Sequence, residues 1–168
     1  MATAELTYLY ALAALSVSFV GFSTLLIVFR QSVGGRLTSY DTYFVLSFME
    51  AGFIVIAGAL LPPMLWFSGL PPQTVWRVAS LLTALPILLF VATVPRRRRV
   101  ATQGPMPLFI RVLLGLQGLA GINLVVSALG GPIVPGVAPY AAVLTVMLFT
   151  SGIAYLLALN VILPGLTD

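Results

Sequence analysis

The chain has 168 residues, of which 60% are hydrophobic and only 7% charged, with a net charge of +4. A soluble domain carries about a quarter charged residues; eight basic and four acidic side chains cannot clothe a water-facing surface, and such a chain in water would expose a very large apolar patch. Cysteine and histidine are absent, which excludes disulfides, thiolate nucleophiles and imidazole metal ligands.

A membrane helix needs about 20 apolar residues, since each adds ~1.5 Å across a hydrocarbon core of ~30 Å. Windows free of charge therefore mark candidate spans. The first lies between Glu5 and Arg30 and gives helix 1 at about 6–29. The residues before it lack a basic region and include Glu5, so the run reads as a span rather than a secretory leader. Helix 2 follows Asp41 and runs over 42–66, interrupted only by Glu50.

Helix 3 is predicted over 76–95, between Arg77 and Arg96. It is the shortest span, with Pro86 near its middle. A proline there removes one backbone hydrogen bond. If any segment is re-entrant or interfacial, leaving four helices, it is this one. No charge occurs from Val112 to Thr167, a stretch long enough for two crossings. The glycines and prolines of Gly130–Tyr140 divide it at a turn or short loop. Helix 4 then occupies 107–129 and helix 5 occupies 138–163, ended by Pro164 and Gly165. The expected fold is an all-α polytopic bundle of five transmembrane helices forming a single membrane domain over residues 1–168.

The cations set the orientation. All eight are arginine. Arg30 and Arg36, and then Arg96, Arg97, Arg98, Arg99 and Arg111, fall in the two connections on one side of a five-helix layout; the other side holds Arg77. The positive-inside rule puts the rich side in the cytoplasm, with the N-terminus outside and the C-terminus inside. Aromatic residues fit the same frame. Tyr8, Tyr10, Trp66, Trp76 and Tyr140 fall near one membrane surface, and Tyr40 and Tyr43 near the other, where amphipathic rings are favoured. Small residues suggest close helix packing. Helix 4, with Gly115, Gly118 and Gly121, is the expected central helix. Helices 1–2 and 4–5 would enter from opposite sides about helix 3, a weak likeness to an inverted repeat without a residue match.

Polar residues within the spans carry the functional expectation. Glu50 is a carboxylate close to the middle of helix 2, where burial of charge is costly and normally directed at protein or water. Its expected partners are Arg111 or Gln117 on helix 4. Asn123 on helix 4 and Tyr155 on helix 5 would add neutral hydrogen bonds. These five residues form the candidate transport site, or alternatively a tie pairing two helices. Asn123 and Ser127 share a face while Gln117 and Arg111 point elsewhere, which argues against a wide aqueous channel. Arg96–Arg99 are read first as a topology determinant, then as a surface for anionic lipid headgroups or an acidic partner.

No metalloprotease, phosphate-loop or dinucleotide motif is present, so neither an enzyme nor a metal or cofactor site is expected. The pI near 10.0 reflects topology rather than nucleic acid. The expected function is a small, oligomeric channel or transporter for an ion, proton or small solute in the cell (plasma or inner) membrane. The alternative is a non-catalytic accessory or scaffold subunit of a larger membrane complex. Expected partners are the lipid bilayer, with anionic lipids at the cytoplasmic face, and a second copy or another membrane subunit.

Overall fold

A computed structural model describes residues 3–32, 38–101 and 106–162; Arg36 and Asp168 lie outside them. The described residues form five helices, α1 (Thr3–Ser32), α2 (Ser39–Trp66), α3 (Pro72–Ala101), α4 (Leu108–Ala128) and α5 (Val137–Ile162). Each is long and apolar enough to cross a membrane. Large apolar side chains point away from the bundle on every side, among them Phe22 at 68% exposure and Phe149 at 71%. Water would not tolerate that surface, and hydrocarbon does. The protein is a multi-pass membrane protein built as an all-α bundle.

Local chemistry explains where the helices start and stop. α2 opens on a capping box: the Thr38 hydroxyl accepts from the Asp41 backbone N–H, and the Asp41 carboxylate accepts from the Thr38 backbone N–H. Two otherwise orphaned donors are thereby satisfied. Pro72 is the first residue of α3, a position where its missing N–H costs nothing and its fixed φ suits the helix. α4 ends in a Schellman motif. Gly130, at φ 94°, turns the chain, while its N–H reaches the Ser127 carbonyl and that of Gly131 reaches the Val126 carbonyl. The left-handed φ makes glycine the natural choice there.

The third span departs most from expectation. α3 is 30 residues long and runs without interruption through Pro86, Pro95 and the four arginines. A window that stops at the first charge underestimates such a helix, because arginine is a good helix former and cations suit the negative end of the helix dipole. Arg96–Arg99 are therefore helical rather than part of a loop. Of the group, Arg96, Arg97 and Arg99 are exposed and Arg98 is half-buried. Successive helical residues turn by about 100°, so the run is not a one-faced basic patch.

Neighbouring helices run antiparallel, so the bundle has two ends. One, the arginine end, holds the start of α2 and the last turn of α3. The other, the tryptophan end, holds Trp66 and Trp76. α2, α3 and α5 pack mutually at the centre, with α1 against α2 and α5, and α4 against α3 and α5. Helix 4 is thus an edge helix, contrary to the expectation from its glycines. Gly121 does seat close to Ile87 and Leu88, but a side chain at Gly115 would meet nothing. The central helices instead use Gly52, where a methyl group would strike Val20 of α1, and Gly58, where it would strike Leu144 of α5. α3 packs on α4 but does not approach α1 among the described residues, so the two helix pairs are not equivalently placed about it.

Candidate functional site

The two halves of the interior differ in how polar groups are matched. In the half toward the tryptophan end, Tyr140 of α5 is buried among α2 and α3. Its hydroxyl lies 2.6 Å from the Thr83 hydroxyl and donates to the Gly58 carbonyl oxygen at 2.7 Å. The Trp76 ring packs on the Tyr140 ring, with centroids 5.6 Å apart. Both aromatics lie near the first turns of their helices, at the end where they were expected, but face the bundle interior rather than lipid; there the hydroxyl finds partners that hydrocarbon would deny it. This half is filled and polar-satisfied.

Toward the arginine end, α2 and α4 do not approach each other among the described residues. The space between them, walled also by α3 and α5, is a cavity of about 60 Å³. Its walls are mostly apolar, with Phe44, Phe48, Phe90 and Leu113. The polar residues are Tyr43, Ser47, Gln117, Thr150 and Ser151 at the wall, together with Arg98. Arg98, Phe44, Ile110 and Ala154 also line an adjoining recess with Tyr40, Pro107 and Phe109, which places these four at the junction of the two spaces.

Gln117 is 4% exposed. Its amide orientation follows from the hydrogen bonds around it. The Thr150 hydroxyl donates to the Val146 carbonyl at 2.6 Å, so its one proton is committed and it must accept from Gln117. The Gln117 Nε2 therefore donates to Thr150 at 2.8 Å and also lies 3.3 Å from the Ser151 hydroxyl. That leaves the Gln117 Oε1, which is buried and has no hydrogen-bond partner. A buried acceptor left unmatched costs on the order of 1–3 kcal/mol. With no surface open to a molecule the size of water, this oxygen is a buried, unmatched acceptor of the α4–α5 seam rather than a group presented to the cavity.

Glu50 is elsewhere. It lies about 4 Å from the midpoint of α2 along the axis. It faces a groove on the outer, membrane-facing side between α2 and α3, shared with Phe53, Pro86 and Leu89. Its carboxylate is engaged by both terminal nitrogens of Arg97, one of them at 3.3 Å. The expected tie to Arg111 or Gln117 does not form, because α2 and α4 are not neighbours. Arg97 instead reaches from the last turns of α3 toward the membrane middle to meet the acid. Both side chains keep a third or more of their surface outside the protein. The pair fixes α3 to α2 at the bundle's flank and does not line the interior cavity.

The other expected site residues are dispersed. Arg111 is exposed in a groove between α3 and α4 beside Val91 and Pro95. Asn123 is half-buried on α4, two turns beyond Gln117. Tyr155 is buried in an aromatic cluster, its ring centroid 5.3 Å from Phe19 and 5.1 Å from Phe48. Its hydroxyl is buried and makes no hydrogen bond among the described residues. Tyr155 thus knits α1 and α2 to α5 rather than lining the cavity. Among the described residues the structure joins Gln117 with Thr150, Ser151, Ser47 and Arg98. The α5 hydroxyls are visible in the sequence as groups that back-bond to their own helix, as Thr150 does; their pairing with Gln117 could be found only by knowing that α4 and α5 are neighbours in the right rotation. No group of three or more acidic, cysteine or histidine side chains that could hold a metal occurs among the described residues. No family model, no curated protein and no solved structure matches the chain.

Proposed function

We propose that the protein is a small membrane channel or transporter for a small solute, with the α2–α5 cavity as its site. The carrying observation is the contrast along one axis: a hollow, hydrogen-bonding half behind Gln117 and a closed half behind Tyr140. A chamber reached from one side and shut toward the other is the arrangement that alternating access requires. The positive-inside rule supports placing the arginine end in the cytoplasm, so the chamber would face inward. The cavity lining has no acidic residue and includes Arg98, which favours an uncharged solute over a cation or proton. Glu50, held by Arg97 outside the chamber, then serves helix pairing.

The test is solute and ion flux in proteoliposomes. Wild type is expected to accelerate permeation of small neutral solutes above protein-free vesicles. Ala154→Leu, which narrows the junction at the cavity mouth, is expected to reduce it by about tenfold or more. Glu50→Gln is expected to retain it. Permeation no faster than in protein-free vesicles would overturn the transport reading.

A second reading, an accessory subunit of a larger complex, is favoured by the bare α4 surface at Gly115. Close approach of another helix needs such a surface. Loss of complex assembly in Gly115→Leu, with no flux in wild type, would favour it. The same surface would serve self-association if the transport reading holds.

A further inference from the structure

We infer that the outer flank of α2 and α3 is a dimer interface, with the Glu50–Arg97 pair at its centre and a second copy of this chain as its occupant. The inference goes beyond the transport reading and does not depend on it. It starts from depth. Glu50 lies about 4 Å from the midpoint of α2 along the axis, and the Arg97 guanidinium is drawn to the same level to meet it. The Glu50 side chain is still 35% exposed and that of Arg97 46%, on the side of the bundle turned toward lipid. Pairing within the chain thus leaves part of each ion facing outward. Ions at that depth are costly and normally face protein or water. Headgroups begin about 15 Å from the midplane, half the thickness of the hydrocarbon core, so lipid offers nothing to match them.

Charge decides which protein covers the flank. The pair carries both signs and no net charge, so its complement presents a cation beside Glu50 and an anion beside Arg97, at one depth. A two-fold axis along the membrane normal supplies both. It sets α2 of one copy against α3 of the other and brings each Glu50 beside the other copy's Arg97. Symmetry matches the depths, and the two dipoles run in opposite directions across the axis and attract.

Shape agrees with charge. Two grooves on this flank share Leu46 and Arg97, which makes a concave strip from Ala57 and Pro86 toward the arginine end. Leu46, Phe53 and Leu89 stand exposed along it. Side chains of a second copy can fill such a strip, and close packing of this kind is what holds helices together in lipid.

The chain has no cysteine, so single introduced cysteines report proximity without interference. The full-length protein is reconstituted in liposomes over a range of protein-to-lipid ratios. Subunits are counted by single-molecule photobleaching, and disulfides are formed with copper phenanthroline. Phe53→Cys, one turn from Glu50, is expected to give a disulfide-linked dimer at least about fivefold more efficiently than Phe149→Cys, a more exposed position on α5. Glu50→Gln combined with Arg97→Gln removes both charges and leaves no lone ion against hydrocarbon. It is expected to raise the dissociation constant of the dimer by about tenfold or more. Gly115→Leu, on the α4 surface, is expected to leave that constant unchanged; contacts there would join such dimers and not form them. Thermal unfolding identifies the variants that are folded, and the Phe53→Cys disulfide provides the test should the double variant fail to fold.

A wild-type chain that stays monomeric even at high protein-to-lipid ratio, or a disulfide no more frequent in Phe53→Cys than in Phe149→Cys, would overturn the inference. So would an unchanged dissociation constant in the folded double variant, or loss of the dimer in Gly115→Leu. A dimer of the expected kind without solute flux would overturn the transport reading alone.

Discussion

The two halves of this bundle are built from the same elements yet solve the problem of buried polarity in opposite ways. Near the tryptophan end, one large side chain, Tyr140, spans the gap between central helices and brings its own hydrogen bonds to Gly58 and Thr83. Near the arginine end, the corresponding space is ringed by large apolar side chains, but the short ones between them, Ser47, Ala51, Ser151 and Ala154, do not reach across it. The gap there stays open, and Gln117 turns one donor nitrogen to α5 and leaves its oxygen unmatched. Filled and satisfied interiors make rigid structure; hollow and unsatisfied ones make sites. The contrast lies in which positions carry large residues rather than in overall composition.

Tyr140→Phe would break the contrast most severely. It strips the Gly58 carbonyl and the Thr83 hydroxyl of a buried partner, and is expected to lower stability by about 1–3 kcal/mol, read as a shift in reversible unfolding in mild detergent. If the closed half also acts as the outer seal, the same variant will leak small solutes in proteoliposomes. A stability unchanged within error would show that the network at this end does not hold the bundle. Glu50→Gln tests the flank. The pair is a third to a half exposed on its outer face, and Arg97, near the end of α3, can swing back to the membrane surface. A loss of about 1–2 kcal/mol is expected in the same assay, since lipid does not screen the pair as water would. A collapse of folding would mean that Arg97 stays trapped against hydrocarbon once its partner is gone. The smallest effect is expected at Gln117→Leu. Removing an acceptor that is already unmatched refunds the desolvation it suffers, so stability should stay within about 1 kcal/mol of wild type or rise. A large destabilisation there would erase the distinction between the two halves and make Gln117 a structural residue like Tyr140.

Much of the architecture was legible in one dimension. Charge-free windows located five spans, and the Gly130–Tyr140 segment was correctly read as the break between the last two. Extension of α3 through its arginines was missed, since a hydropathy window registers the edge of hydrocarbon and not the end of a helix. The site was legible only in part. Glu50 drew attention because a carboxylate in a span is costly, and that cost is met by Arg97, a residue assigned to a connecting loop. Gln117 was selected as a partner for Glu50 and turned out to face α5. Trp76 and Tyr140 lie near helix ends, as their type suggests, but that type does not tell that they face inward.

The amino-acid sequence by itself determined the solvent and the crossings: too few charges for water, five runs long enough for hydrocarbon, and arginines gathered toward one side. Those properties are sums over segments, and sums survive ignorance of which helix meets which. Neighbour relations and rotations were decided only in three dimensions. Interior packing in a lipid-facing bundle leaves almost no amphipathic signal, because the core and the surrounding chains of lipid are equally apolar. Whether Glu50 meets Arg97 outside or Gln117 inside, and whether a void forms between α2 and α4, therefore depended on tertiary packing alone.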